Sequence, residues 1–310
     1  MEHDEASLAS HAPLTSLAEK SCFALSRFYL TRLQRFGIRH RAPGARFESS
    51  ETYDSERVSK VEGLYALFSQ FCELKHKTVL DLGCSTGYIL NDFQKHEPFI
   101  AIGADNDPKK LSLARASYGN SISFVQFTPT SIPLPDDSVD IIFTADTVEH
   151  LSRPKEIFTD CYRILRPGGL FLVHFHPWLG PWGSRLEGII PLPWPHVVFS
   201  MDTLLKVAAH LYESEFCAPA CYWLDEDTGK RRPNPYLDRE AWREFLNHMT
   251  IRQFRRLIRA LPFQLVHFQP LGFGGKTYPL ARFLRGFASV PVLNEFFVNA
   301  IFCVLQKPVR

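Results

Sequence analysis

The chain has 310 residues, of which 45% are hydrophobic, enough for one substantial α/β domain with an appendage or for two small domains. Its 35 basic and 33 acidic side chains leave a net charge of only +2, so no global field attracts nucleic acid. We therefore expect no DNA partner, and RNA is not favoured. The 7 cysteines include no C-x-x-C pair, which indicates a reducing compartment, and the N-terminus lacks the apolar core of a secretory signal. A cytoplasmic protein is predicted.

The N-terminal region, residues 1–55, is predicted to be a helical or lid segment. Apolar and basic residues recur at helical spacing along Leu14–Ile38, a pattern typical of a basic amphipathic helix. Such a helix can pack over the core domain, cover a cofactor pocket or lie on a membrane surface. Peripheral membrane contact through this helix is therefore one expectation.

Residues 56–176 alternate strand-like and helix-like segments, the signature of a parallel sheet with crossover helices. A helix over Glu56–Cys72 leads into this region. The predicted strands are Thr78–Leu82, Phe99–Asp105, Ile122–Phe127, Val139–Thr144 and Leu170–Phe175, and the predicted helices between them are Gly87–Lys95, Pro108–Tyr118 and Pro154–Leu165. Ligands of such sheets bind at the carboxyl ends of the strands.

This alternation stops after Phe175. Residues 177–249 are rich in proline and tryptophan and are too long for a simple loop, so they are predicted to be an inserted substrate cap. Their aromatic rings suit an apolar or aromatic acceptor, or they fill a second small core. Residues 250–310 return to the core sheet through a helix over Thr250–Leu261 and strands over Phe263–Phe268 and Ala300–Lys307.

The turn after the first predicted strand is the most informative stretch of the chain. Thr78–Leu82 runs directly into Gly83 and Gly87, and a helix-like segment follows. Parallel sheets use this layout to present backbone N–H groups to a ligand. The G-x-G-x-x-G spacing is incomplete and no lysine follows the second glycine, so neither a dinucleotide site nor a phosphate-binding loop matches well. The turn therefore predicts a nucleotide-binding site that is neither a dinucleotide site nor a phosphate-binding loop.

An acidic residue at the end of the second strand extends this prediction. Asp105 lies eighteen positions after Gly87, close to the roughly 20-residue interval between a glycine turn and the acid that binds a ribose. One carboxylate can accept hydrogen bonds from both ribose hydroxyls. Alternatively, Asp105 caps the helix that opens at Pro108, a task for which Asp107 would compete.

Five motifs follow one another in the order of a known family: Asp81–Gly87, Ile102–Asp105, Ile132–Asp140, Glu149–Leu151 and Leu165–Gly169. Together they resemble the class I S-adenosylmethionine-dependent methyltransferases, in particular the type 11 group that includes ubiquinone-biosynthesis enzymes. The resemblance covers roughly residues 56–176 and is weaker over 250–307. It implies a Rossmann-like, doubly wound α/β fold with seven mostly parallel strands, the last one antiparallel. It also implies S-adenosyl-L-methionine as the cofactor.

The resemblance further implies which residues hold the cofactor. Asp81 would lie near the methionine amino group, Gly83 and Gly87 against the cofactor backbone, and Asp105 on the ribose. The other cofactor-binding candidates are Cys84, Ser85, Asn106, Thr128, Pro129 and Asp146. The chain departs from the family at Ser85, where glycine is usual, and at Thr128 or Pro129, where an adenine-contacting aspartate is usual. A hydroxyl accepts without charge assistance, so lower cofactor affinity is expected.

Candidate catalytic residues follow the fourth and fifth strands. Methyl transfer from a sulfonium is an in-line displacement, and an oxygen acceptor usually also needs a base. Among Asp146, Glu149, His150, His174 and His176, we favour Asp146, His150 and His176 as catalytic residues. If the segment is helical, Asp146, Glu149 and His150 share one face. The trio then resembles the cluster by which some ubiquinone-type and RNA-end methyltransferases hold a divalent ion, and its ligands would suit magnesium or manganese better than zinc. A Glu-His pair is also common without metal, and no metal is the expectation.

Together these features predict a methyltransferase acting on a small or lipid-linked acceptor, with O-methylation preferred. A tRNA or RNA methyltransferase shares the core, but the near-neutral charge counts against it. A non-catalytic binding or scaffold protein is the third alternative, motivated by Ser85 and Thr128. The sequence does not indicate the acceptor or the oligomeric state.

Overall fold

The computed structural model describes residues 13–32, 60–214, 230–273 and 285–309. Within the chain, two units are distinguished by their internal contacts. The larger comprises residues 60–178, 246–275 and 279–310, and the smaller comprises residues 1–59, 179–245 and 276–278.

The larger unit is built on a mixed sheet of seven strands. These are β1 Thr78–Leu82, β2 Ile100–Asp105, β3 Ile122–Gln126, β4 Val139–Ala145, β5 Leu165–Phe175, β6 Gln264–Gly272 and β7 Val298–Gln306. Their order across the sheet is β3-β2-β1-β4-β5-β7-β6. Strands β1 to β5 pair in parallel, whereas β7 is antiparallel to both β5 and β6. The predicted doubly wound α/β fold with an antiparallel last strand is confirmed.

Helices connect and flank the strands. In chain order they are α1 Leu17–Thr31, α2 60–68, α3 Tyr88–Phe93, α4 Pro108–Tyr118, α5 Pro154–Ile164, α6 Pro195–Val198, α7 Met201–Glu213, α8 Arg239–Phe245, α9 Ile251–Arg259 and α10 Asn294–Phe297. Single 3₁₀ turns cover Val148–His150, Pro235–Leu237 and Arg285–Ser289. No helix in these described ranges combines the length and apolar character that crossing a membrane requires.

Both faces of the sheet are buried, which explains why its central strands read as continuous apolar runs. Leu80 of β1 and Phe171 of β5 pack in one cluster, and Val79 of β1 and Leu172 of β5 pack in another. Successive side chains of a strand point to opposite faces, so β1 contributes to both cores. This double burial holds the carboxyl ends of β1, β2, β4 and β5 in fixed positions.

Strand β5 differs most from its prediction, because it begins at Leu165 rather than at Leu170. In the predicted pattern, Pro167–Gly169 lies between the helix Pro154–Leu165 and this strand. In the structure Leu165 pairs with Val139, and the register shifts before Ile141. The backbone N–H of Gly168 also donates to the carbonyl of Lys307, 2.8 Å away. Pairing with neighbouring strands thus draws a proline-glycine segment into the sheet.

The smaller unit is helical where it is described. Helix α1 packs against α7, and an ion pair of 3.0 Å joins Glu19 to Lys206. Its core is mainly aliphatic, with Tyr212 and Tyr236 among the buried rings. Helix α1 is shorter than the predicted Leu14–Ile38, and residues 33–38 lie outside the described residues.

Candidate functional site

The turn after β1 is built by left-handed backbone. Its φ angles are +86° at Gly83, +52° at Ser85 and +80° at Gly87. The N–H groups of Gly83 and Cys84 both donate to the carbonyl of Ala104, at 2.8 and 2.9 Å, which ties the turn to the end of β2. Glycine adopts this conformation freely, whereas a residue with a side chain pays roughly 1–2 kcal/mol. Ser85 therefore occupies a position whose geometry suits glycine.

Close packing also excludes side chains at the glycine positions of this region. A Cβ at Gly83 would lie 2.1 Å from Oγ1 of Thr147, and a Cβ at Gly87 would lie 2.8 Å from Cζ of Phe124. In β2, a Cβ at Gly103 would be 2.7 Å from the same phenylalanine ring. The three glycines form a cradle in which only backbone fits.

Asp105 is anchored by backbone on both carboxylate oxygens. Its Oδ2 accepts from the N–H of Ser85 at 2.8 Å, and its Oδ1 accepts from the N–H of Asp107 at 2.9 Å. The residue is only 5% exposed. Asp107 is the N-cap of α4, where it accepts from the N–H of Lys109 at 2.8 Å. Asp105 is therefore not needed as the helix cap.

Asp81 places a second carboxyl group beside the turn. It is 1% exposed, and no residue in the described part of the chain donates a hydrogen bond to its Oδ2. Burial and the nearby Asp105 together raise the pKa of Asp81 well above its ordinary range. A buried carboxyl oxygen without a donor is costly, so this atom is suited to a donor supplied by a ligand. Burial, Asp81 and Asp105 also raise the pKa of the Cys84 thiol, which keeps it protonated and unreactive.

The loops after β2 and β3 carry three further candidates, Asn106, Thr128 and Pro129, all exposed. The Thr128 hydroxyl accepts from the N–H of Ser131 at 3.1 Å, so it closes its own turn. The carbonyl of Asn106 accepts from the side chain of Gln126 at 3.1 Å. The adenine contact expected of Thr128 or Pro129 stays a prediction.

The ends of β4 and β5 bring three potential ligand side chains together. Oδ1 of Asp146 lies 3.2 Å from Nδ1 of His174 and 3.4 Å from Nε2 of His176. Among the described residues, these form the group of histidine and carboxylate ligand atoms that lie within 4.8 Å of one another. The other carboxylate oxygen, Oδ2 of Asp146, contacts Nζ of Lys60 at 2.5 Å. We call Asp146, His174 and His176 the β4/β5 cluster.

The predicted helical face of Asp146, Glu149 and His150 is not formed, which corrects that expectation. Asp146 has a φ of +55° and precedes the 3₁₀ turn Val148–His150, so no single helix carries all three residues. Glu149 is 4% exposed and accepts from the backbone N–H of His176 at 3.5 Å. The side-chain amide of Asn247 donates to the carbonyls of Val148 and Leu151, at 2.7 and 2.8 Å, and this fixes the turn.

Sequence reasoning missed Lys60 and Asn299. Nδ1 of His176 lies 2.7 Å from the carbonyl of Asn299 in β7, and only the fold reveals that contact. His174 was considered but not chosen. Its spacing of two from His176 could have found it, since alternate residues of a strand share one face.

The first strand of this parallel sheet ends in a glycine turn, and an acid ends the second strand beside it. Open α/β sheets that bind nucleotides share this arrangement. Residues 80–173 match a family model described as methyltransferase domain. These residues therefore resemble a methyltransferase domain.

Similar proteins come from mycobacteria and carry the description uncharacterized methyltransferase. A protein of Mycobacterium ulcerans is 35% identical over 114 residues, and one of Mycobacterium tuberculosis strain H37Rv is 33% identical over 114 residues. Each match covers 36% of this chain and 44% of the relative. The chain therefore spans less than half the length of these relatives.

Solved structures that align with this chain have low sequence identity to it. An S-adenosylmethionine-dependent methyltransferase from Mesorhizobium loti aligns with a TM-score of 0.49 and 15% identity, covering 80% of this chain and 100% of that one. A second, from Methanosarcina mazei, aligns with a TM-score of 0.48 and 13% identity, covering 79% of this chain and 98% of that one.

Proposed function

We propose that this protein transfers the methyl group of S-adenosylmethionine to an oxygen atom of a small or lipid-linked acceptor. The observation that carries the proposal is the Asp105 carboxylate, which is held by two backbone N–H groups beside a left-handed glycine turn. Bound in that turn, the cofactor would supply a methyl group activated by its sulfonium. The rest of the chemistry falls to the residues of the chain.

Two carboxyl groups would recognise opposite ends of the cofactor. Each oxygen of Asp105 has a further lone pair after accepting its backbone N–H, so the carboxylate would accept the ribose hydroxyl protons. The unpartnered Oδ2 of Asp81 would accept from the methionine ammonium group. The glycines of the turn would let the backbone approach the ligand closely between these two ends.

His176 would act as the base toward an acceptor hydroxyl. Its Nδ1 faces a carbonyl, which only accepts, so this nitrogen carries the proton in the neutral ring. Nε2 is then the atom that can take a proton, and Asp146 lies beside it to stabilise the resulting charge. His150, in the neighbouring 3₁₀ turn, stays a predicted alternative.

Exposed apolar side chains on α1 support an acceptor that resides in or near a lipid surface. Leu17, Leu25 and Phe28 are 82%, 51% and 57% exposed. At about 100° per residue they lie within one sector of about 80° on the helix. A helix with such an exposed stripe is suited to lie in a membrane interface.

The cofactor site can be tested with a matched pair of isosteric variants, Asp105→Asn and Asp107→Asn. Asp105→Asn should weaken S-adenosylmethionine binding by about 10- to 100-fold, because it removes the charge from bonds worth roughly 1.5–3 kcal/mol. Asp107→Asn should leave affinity unchanged, since asparagine caps a helix as well as aspartate does. Isothermal titration calorimetry measures both, and equal affinities would remove the ribose assignment.

The reaction can be tested by incubating the protein with methyl-labelled cofactor and extracts of its source cells. We expect a labelled product whose methyl group is bonded to oxygen, identified by mass spectrometry. The His176→Asn variant should form this product roughly 10²- to 10⁴-fold more slowly, as is typical for loss of a general base. Cofactor binding without any labelled product would instead favour a non-catalytic binding protein.

A further inference from the structure

We propose that Asp146, His174 and His176 form a binding site for a divalent transition-metal ion such as zinc, iron(II), manganese or cobalt. The site differs from the trio Asp146, Glu149 and His150 that the sequence suggested. Asp146 is common to both sets, and the imidazoles of His174 and His176 take the places of Glu149 and His150. The site involves neither Asp81 nor Asp105, but it uses Nε2 of His176. With an ion bound, that nitrogen would be a ligand and not the base, and the ion would instead make a bound acceptor hydroxyl more acidic. The proposal concerns ion binding itself and can be tested without cofactor or acceptor.

The spacing of the ligand atoms suits one ion. Ligand atoms about 2.1 Å from a metal, at angles of about 90–109°, are separated from one another by about 3.0–3.4 Å. Oδ1 of Asp146 is 3.2 Å from Nδ1 of His174 and 3.4 Å from Nε2 of His176. These two separations are those of neighbouring ligands of an octahedral or tetrahedral ion, and the ligand atoms of all three residues lie within 4.8 Å of one another.

The hydrogen bond behind His176 directs its other nitrogen at the cluster. Since the carbonyl of Asn299 can only accept, Nδ1 is the donor at 2.7 Å, and the neutral ring presents a lone pair on Nε2. That lone pair then faces Oδ1 of Asp146, which is also an acceptor. A cation between the two atoms would be bound by a lone pair of each. Metal-binding histidines commonly use their second nitrogen in this way.

The composition and burial of the cluster select the class of ion. Two imidazoles and one carboxylate favour zinc and the first-row transition metals, whereas magnesium and calcium prefer oxygen ligands. The side chains of His174, His176 and Asp146 are 12%, 16% and 18% exposed. The ligands are therefore held in place by their surroundings, and coordination positions remain for water or an oxygen-bearing acceptor.

Lys60 competes for the same carboxylate but from its other side. Nζ contacts Oδ2 of Asp146, whereas the two imidazoles lie against Oδ1. The lysine side chain is 55% exposed, so it can move away when an ion binds. Its positive charge nevertheless opposes that of the ion. Removing this charge should strengthen metal binding, an effect in the opposite direction to the loss of a ligand.

The test uses the untagged full-length protein after treatment with a chelator. Titration with zinc, followed by calorimetry and by metal analysis of the dialysed protein, should show one ion per chain. Cobalt should give the visible absorption bands of a coordinated ion. His174→Asn and His176→Asn should each lose roughly 100-fold or more in affinity, since loss of a hydrogen-bond partner behind a ligand already costs about 10- to 100-fold.

His150→Asn is the matched control, because this histidine belongs to the trio suggested by the sequence but not to the β4/β5 cluster. It should bind zinc like the wild type. Lys60→Met should bind zinc more tightly, by about tenfold, and this gain remains informative if a ligand variant fails to fold. The proposal is overturned if the wild type takes up no ion at millimolar zinc or cobalt, or if His150→Asn loses the ion while His174→Asn keeps it.

Discussion

The turn after β1 and the β4/β5 cluster lie in the same unit but are built in different ways. The turn uses backbone, with three left-handed residues within five positions and a cradle that admits no Cβ. The cluster uses side chains from the ends of two strands that are nearly thirty residues apart in sequence, supported by a carbonyl of β7. The first is therefore a local feature of the chain, and the second is a product of the sheet.

This difference matters for how each region tolerates change. A backbone cradle fails when a single atom is added, because its geometry leaves no room. A side-chain cluster fails when a charge or lone pair is removed, while the surrounding fold can persist. The two regions meet at Thr147, which follows Asp146 and packs against Gly83. The substitution Gly83→Ala tests this contact directly.

The largest effect is expected from Gly83→Ala. The new Cβ would lie 2.1 Å from Oγ1 of Thr147 at a φ of +86°, so we expect a loss of about 2–5 kcal/mol in the free energy of unfolding. Because Thr147 must move, cofactor affinity should also fall. Urea denaturation measures the stability.

Gly63→Ala is the control for that substitution. Gly63 lies in α2, and a Cβ there would meet no atom within 4 Å, so alanine should stabilise the protein by about 0.5–1 kcal/mol. Similar losses of unfolding free energy in the two variants would show that close packing at Gly83 does not exclude a Cβ.

An intermediate effect is expected from Asp81→Asn. Its folded pKa is raised above the ordinary 3.8, so the wild-type protein loses stability as the pH rises from that value toward the folded pKa. The asparagine variant has no such loss, and without cofactor it should become increasingly more stable than the wild type across that pH range. Thermal denaturation between pH 4 and pH 8 measures the difference.

The same variant should bind S-adenosylmethionine less tightly, by about 10- to 100-fold, because the ammonium group loses a charged partner. The pairing of greater stability with weaker binding distinguishes a functional carboxyl group from a structural one. A less stable variant with unchanged affinity would refute the role given to Asp81.

The smallest effect is expected from Ser85→Gly. Relief of the left-handed conformation is worth roughly 1–2 kcal/mol, and the greater freedom of glycine in the unfolded chain offsets about 0.4–1 kcal/mol of it. The net gain should be about 0–1.6 kcal/mol in denaturant titration, with cofactor binding retained. A large loss of affinity would mean that the serine hydroxyl itself contacts the ligand.

Much of the larger unit could be predicted from the sequence. Strand β1 and helix α4 have the predicted bounds, Thr78–Leu82 and Pro108–Tyr118, because an apolar run followed by glycine and a Pro-led helix after Asp107 are local signals. Strand β5 was predicted to begin five residues too late, since its first part is stabilised by pairing with Val139. Such pairing energy depends on a distant strand.

The sequence by itself determined the parallel sheet, the glycine turn and the acid at Asp105, because each depends on spacing within a short segment. Only the tertiary structure decided that Asp146 joins His174 and His176 instead of Glu149 and His150. The reason is that Asp146 leaves β4 with a φ of +55° and never enters a helix, so helical spacing does not apply. The sheet register that places Ala145 opposite His174 then brings the two strand ends together.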